Sequence, residues 1–244
     1  MKYNKKKLLL ILTIIIIVAV IILIAITPRT KKIRGEKYFV GEDFYYQIDE
    51  NDDVTLNKVI DETKKDIEIP IEIDGHTVIG LGYTHDKPSL WTVMYKGVFE
   101  DNKAVESIYI PENIEFIKKE AFQKSNIKSV VIDSENIRLG PFTFCECREL
   151  KEVKFLKNIK IIETQVFSEC ESLEEIELPK GVERIEPYAF SGCTSLKKIV
   201  LFDEIEFIAD DAFEWSDNVT IYGIKGSYVE DYANEHNIPF VELD

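Results

Sequence analysis

The sequence predicts a mainly β solenoid of short, stacked parallel strands, closed by a C-terminal capping helix and preceded by one N-terminal transmembrane helix. Three observations lead there. Phenylalanines recur at 99, 122, 144, 167, 190 and 213, with spacings of 23, 22, 23, 23 and 23. Inside each interval, apolar residues two apart mark a short strand with one buried face. Near the N-terminus, the nineteen residues Leu8 to Ile26 carry no charge, and Thr13 is their only polar side chain.

That apolar run defines the first elements. As a helix it spans about 28 Å, close to the hydrocarbon thickness of a bilayer, and helix is the one way an isolated segment satisfies its backbone in lipid. Cleavable leaders have shorter apolar cores that end at small residues. This run closes on Ala25-Ile26-Thr27-Pro28, which reads as an uncleaved anchor. The chain therefore divides into a basic tail (1–7), an anchor (8–27) and a basic linker (28–37). Four basic side chains precede the anchor and five follow it, so the positive-inside comparison is nearly balanced. The short tail and long acidic domain favour a single-pass protein in the cell membrane with its domain extracytoplasmic.

Charge separates the two parts sharply. Residues 1–37 hold nine basic groups against Glu36 alone, a net +8, which leaves −23 on residues 38–244 out of the chain's −15. A domain this acidic argues against a nucleic-acid partner and favours a basic or mixed-charge protein. It also argues against adhesion of the domain to anionic headgroups.

The repeat decides the fold. FCECRELKEVKFLKNIKIIETQV from Phe144, FSECESLEEIELPKGVERIEPYA from Phe167 and FSGCTSLKKIVLFDEIEFIADDA from Phe190 share the frame F-x-x-C-x-x-L-x-x-[IV]-x-[LF]-x-x-x-[IV]-x-x-I-x-x-x-[AV]. Copies from Phe99 and Phe122 keep it with Asn102 and Ser125 in place of cysteine. Ile176 and Leu178 are expected on one strand face, with Val182, Ile185 and Ala189-Phe190 following on an irregular or 3₁₀-like return arm. A unit this short buries its apolar face only by stacking on its neighbours. Strands about 4.8 Å apart then give a solenoid roughly 25–30 Å long.

The frame resembles the BspA-type leucine-rich repeats of bacterial surface proteins, over roughly residues 67–244. IEIPIEIDGHTVIGLG (Ile67–Gly82) is similar to segments that precede such repeats, and VTIYGIKGSYVEDYANEHNIPFV (Val219–Val241) to segments that end them. The resemblance implies a leucine-rich-repeat solenoid. For function it implies no single role, since the family covers adhesion and host-protein binding among others.

Both solenoid ends need covers. Ser227 and Glu230 form a capping-box pattern that starts a helix through about His236, with Tyr228, Tyr232 and Ala233 facing the last coil. Asn237 and Pro239 stop it, and Phe240-Val241 adds a last strand. At the other end Phe44–Asp49 and Val54–Ile60 read as a hairpin. An N-terminal cap and lead-in thus occupy 38–98, and the solenoid with its C-terminal cap 99–244. The insertion Tyr83–Tyr95 reads as a surface loop whose Trp91, Val93 and Met94 pack down.

Chemistry-bearing residues are few. Cys147, Cys170 and Cys193 share one slot and read as small buried hydrophobes; Cys145, in the slot of Ser168 and Ser191, reads as an exposed thiol. Asp49-x-Asn51-x-Asp53 echoes a calcium loop, yet Val54 and Ile60 stand where glycine and glutamate are needed. No cofactor or metal is expected, and no catalytic motif occurs, so the chain reads as a non-enzyme. Asn218-Val219-Thr220 is a sequon that matters only in a glycosylating route. The outward strand positions remain: a central row of Tyr109, Val131, Lys154, Glu177 and Val200, and a flanking row of Pro111, Asp133, Leu156, Pro179 and Phe202. Apolar groups there point to a partner surface, with Tyr109, Val131, Lys154, Glu177, Val200, Phe202 and Trp91 as contact candidates. The expected function is a membrane-anchored interaction module for cell-surface protein binding or adhesion. The alternatives are an enzyme accessory using His85 and Asp86 of the insertion, or a regulatory or structural envelope protein.

Overall fold

The computed structural model describes residues 15–17, 29–33, 36–65, 67–82 and 97–243. Residues 15–17 are helical; the rest of the expected anchor, and the insertion with Trp91, lie outside the described residues. Among the described residues no helix is long and apolar enough to cross a membrane.

The described residues of the stretch read as a basic linker, 29–33 and 36–37, lie in a sheet. Strands β1 (Arg29–Ile33) and β2 (Glu36–Val40) pair antiparallel, and β2 pairs with β3 (Phe44–Ile48). Alternation was hidden there because basic residues dominate the composition. The expected hairpin follows as β3 and β4 (Val54–Val59). Its turn is closed by the Asp49 carboxylate, which accepts from the Asn51 and Asp53 amides at 2.8 and 3.1 Å. Strand β5 (Glu72–Ile73) pairs antiparallel with β6 (His76–Leu81), and β6 lies parallel to β4. Here the sheet passes from antiparallel meander to parallel solenoid.

Each of the first five coils then contributes one longer and one shorter strand, and the last contributes a longer strand alone. The longer strands are β7 (Ser107–Ile110), β9 (Ser129–Ile132), β11 (Glu152–Phe155), β13 (Glu175–Glu177), β15 (Lys198–Val200) and β17 (Thr220–Gly223). The shorter ones are β8 (Phe116–Ile117), β10 (Arg138–Leu139), β12 (Ile161–Ile162), β14 (Arg184–Ile185) and β16 (Phe207–Ile208). The return arm thus forms parallel ladders, β6-β8-β10 and β12-β14-β16, where an irregular or 3₁₀-like segment was expected. Buried backbone groups must find partners, and stacked copies of the same dipeptide supply them, as Ile185 does between Ile162 and Ile208. Ile176 and Leu178 face inward and are buried as expected.

The six phenylalanines form one continuous column. Successive ring centroids are 4.7, 5.1, 5.6, 5.4 and 5.5 Å apart, with the planes within 24° of parallel. The arc around each ring is held by its own ladder: the Phe167 amide donates to Ala189 O at 2.9 Å and the Glu169 amide to Ser191 O at 2.7 Å. Two residues beyond the ring the backbone turns left-handed in every coil, at Asp101, Lys124, Glu146, Glu169, Gly192 and Trp215. Glycine takes that conformation freely, and other residues at a cost.

One junction differs. Between the coil of β10 and β11 and that of β12 and β13, neither sheet continues its ladder. The arc bonds persist there, with Phe144 N donating to Val166 O at 2.9 Å and Glu146 N to Ser168 O at 2.8 Å. Arg148 crosses the same junction to Glu169 and Glu171 at 3.5 and 2.9 Å.

The cap is helix α1 (Tyr228–Glu235) followed by β18 (Phe240–Glu242), which extends the sheet beside β17. Ser227 is its N-cap residue, but its hydroxyl turns back to Ile224 O, and Glu230 accepts from the Gly226 amide at 2.6 Å. The box has therefore slipped one residue toward the N-terminus. Val229, Tyr232 and Ala233 are buried against the last coil. Tyr228 keeps an exposed ring, and its hydroxyl accepts from the Ile208 amide at 3.1 Å.

Candidate interaction surface

Inside the solenoid the third position after each phenylalanine carries Asn102, Ser125, Cys147, Cys170, Cys193 and Ser216, all buried. The three thiols donate to Phe122 O, Phe144 O and Phe167 O of the preceding coil at 3.0, 3.3 and 3.1 Å, and the Ser216 hydroxyl donates to Phe190 O at 2.7 Å. Burial pushes the Cys147 and Cys193 thiols up to about 12 and Cys170 well above its ordinary value. Thiolate character is what makes a cysteine reactive, so these are structural groups. Cys145, expected to be exposed, is only 5% accessible. The arcs on its two sides stack ring to ring at 5.1 and 5.6 Å and close the slot, as they do over Ser168 and Ser191.

The strand face presents the expected row in register. Tyr109, Val131 and Lys154 align across β7, β9 and β11. Glu177 and Val200 align across β13 and β15, and the row continues through Tyr222 of β17 to Val241 of β18. Tyr109 is 49% exposed, and Val241 at the end of the row and Leu156 beside it are also open. Val200 points outward by strand alternation yet is only 5% exposed, because Glu177 and Tyr222 flank it on either side. It forms part of the floor of the surface.

Polar groups fix this row. The Tyr109 hydroxyl donates to Asp133, the residue after the neighbouring strand β9, a bond that raises the phenol above its usual range. Lys180 Nζ lies 5.3 Å from the Phe202 ring and Lys198 Nζ 5.2 Å from the Tyr222 ring, both within cation–π range. Where the ladder lapses between β11 and β13, a depression of about 410 Å³ opens, lined by Lys151, Lys154, Glu175, Glu177, Lys198 and Val200 among others. Tyr222 and Val241 went unrecognised in the sequence because they follow the last phenylalanine frame. The alternation of Val219, Ile221 and Gly223 inward with Thr220 and Tyr222 outward was the available signal.

A family model described as the BspA type leucine rich repeat region matches residues 89–230 in six copies. The chain belongs to this family. Solved structures similar to this BspA-type chain include a leucine-rich repeat protein of Bacteroides ovatus ATCC 8483, 27% identical with a TM-score of 0.55, the match covering 74% of this chain and 42% of that one. A leucine rich cell surface protein of Faecalibacterium prausnitzii A2-165 is 20% identical with a TM-score of 0.53, covering 76% of this chain and 54% of that one. The chain thus spans about half or less of the length of either protein. No curated protein matches it. A leucine-rich-repeat interaction module is the reading that the family supports.

Proposed function

We propose that this chain is a single-pass, membrane-anchored interaction module that binds a protein partner outside the cell through the outward face of its longer strands. One observation carries the binding assignment: aromatic, apolar and charged side chains stand in register within each of two strand blocks along that face, on a scaffold of stacked parallel strands and a continuous ring column. A preformed surface loses little ordering entropy on binding. The contact is assigned to Tyr109, Val131, Lys154, Glu177 and Phe202 with Tyr222 added, over a floor that includes Val200. Trp91 remains a candidate on the sequence argument alone. The anchor rests on the uncharged run Leu8–Ile26, and the acidity of residues 38–244 favours a basic or mixed-charge partner.

The test places a photo-crosslinking residue at Lys154 in cells, with Arg184 on the other sheet as control. Adducts are expected from position 154 and not from 184; equal yields, or none from 154, would remove the strand face. Combining Tyr109→Ser, Lys154→Glu and Leu156→Asp is expected to cut the adduct formed from a probe at Val131 by at least about tenfold. Since all three side chains are open, the unfolding free energy should move by no more than roughly 1 kcal/mol. Protease shaving of intact cells tests topology separately. Survival of the domain, when the purified chain is cleaved, would sink the extracytoplasmic placement.

A further inference from the structure

The arcs of the solenoid bond in one direction. The Phe190 amide donates to Ala212 O at 2.8 Å and the Gly192 amide to Glu214 O at 2.9 Å, repeating the pattern of the coils before. One coil further on, the amides of Phe213 and Trp215 occupy the same places and have no acceptor among the described residues. The cap helix leaves them free, because its tyrosines engage the preceding segment: Tyr232 donates to Ala209 O at 3.0 Å and Tyr228 accepts from Ile208 N. A cavity of about 440 Å³ opens at this end of the arc, bounded by Phe213, Trp215, Asp217, Tyr232 and Pro239 among others.

Its rim is unlike the equivalent slots elsewhere. Trp215 is 65% exposed and left-handed at φ 60°, where earlier coils place Asp, Lys, Glu, Glu and Gly. A bulky residue in that conformation, with its ring open to water, is strained and solvent-exposed at once, a pairing found at functional sites. In two earlier arcs the acid is paired with a cation, Glu146 with Lys124 at 3.4 Å and Glu169 with Arg148 at 3.5 Å, and Glu100 of the first arc accepts from the Gly97 amide at 2.8 Å. Beside Trp215, Glu214 and Asp217 have no cationic partner among the described residues. The end of the last arc therefore offers two unused backbone donors, an open indole face and two uncompensated carboxylates in one concave place.

We propose that this cleft docks an extended, lysine- or arginine-bearing segment of a partner protein. The segment's carbonyls accept from the Phe213 and Trp215 amides, as the next arc would, and its cationic side chain lies over Trp215 between Glu214 and Asp217. Indole is the best aromatic platform for a cation, and backbone pairing with alternate side-chain pockets is an established mode of peptide capture. This surface is separate from the strand face and does not depend on it.

The test titrates the full chain, in nanodiscs of neutral lipid, with a labelled peptide of alternating lysine and alanine. Saturable binding that weakens with salt is expected. Trp215→Gly should weaken it by at least about tenfold while leaving the unfolding midpoint unchanged or higher, since glycine suits the left-handed slot. Glu214→Gln with Asp217→Asn should do the same, whereas Glu72→Gln with Glu135→Gln, at exposed sites away from the cleft, should not. Spermine, which carries charge without carbonyls, should bind at least about tenfold more weakly than the peptide. Retention of affinity in Trp215→Gly, equal binding of spermine, or no binding at low salt would each overturn the assignment.

Discussion

Phe167→Ala is expected to lower the unfolding free energy by about 3–5 kcal/mol, the range for removing a buried phenyl ring and leaving a cavity. Phe167 sits in mid-column, 5.6 Å from the Phe144 ring and 5.4 Å from Phe190, and is fully buried. Its removal deletes two stacking contacts, each worth about 0.5–1.5 kcal/mol beyond area burial. Because coils couple only to their neighbours, the loss falls on a junction that every path through the solenoid must cross. Phe213→Ala should cost less. Phe213 stacks on Phe190 alone, and its other neighbour, Tyr232, is tilted by 55° at 6.3 Å. Urea midpoints of the two variants measure the difference. A cost below about 1 kcal/mol at Phe167 would mean that the column is not the core it resembles.

Alkaline conditions should unfold the chain through its buried thiols. In the folded state Cys147 and Cys193 titrate at about 12, against an ordinary value of 9.0, because burial disfavours the thiolate. A folded value raised above the unfolded one means that their contribution is complete below pH 9 and is lost as pH rises toward 12. Two such groups give a slope of about 3 kcal/mol per pH unit in that window, and a loss of about 4 kcal/mol by pH 10.5. Cys170, Tyr46 and Tyr232 shift in the same direction and add to the loss. The double variant Cys147→Ser, Cys193→Ser isolates the cause. Serine already occupies this slot at Ser125 and Ser216, where the Ser216 hydroxyl donates to the preceding phenylalanine carbonyl. The variant should therefore stay folded and lose distinctly less stability between pH 9 and pH 10.5. An identical pH profile in the parent and the double variant would dismiss the thiols as the origin.

The solenoid was legible because its signal is periodic. A phenylalanine every 23 residues, one buried slot for a small polar or thiol side chain, and inward pairs such as Ile176 and Leu178 each recur enough to identify one another. What escaped the reading lacks a second copy in the chain. The antiparallel strands over residues 29–33 and 36–40 have basic composition in place of alternation, and the shorter strands use only two residues per coil, too few to show a period. The slot of Cys145 looks polar in sequence, yet stacking closes it. The surface was half legible. Strand alternation gave the direction of Val200, but not the cover that Glu177 and Tyr222 place over it. Nothing in the sequence singles out Trp215; its left-handed backbone and open ring come from the structure.

The interrupted ladders between β11 and β13 and between β10 and β12 give the molecule a mechanical character. If the chain is anchored and binds a partner as proposed, tension would run along its stack of coils. Here the stack is two blocks in series, joined by arc bonds, the Asn136 amide to Asn158 O, the Cys170 thiol to Phe144 O, one ring contact and the Arg148 ion pairs, where other junctions also have sheet bonds to break. Stretched from its ends in a force spectrometer, the chain should therefore yield in two steps, with the blocks parting first. Arg148→Ala should lower the force of that first step, and a single all-or-none rupture would show that the junction bears load as well as the rest. Such a joint would give way early under shear while the coils within each block stay wound.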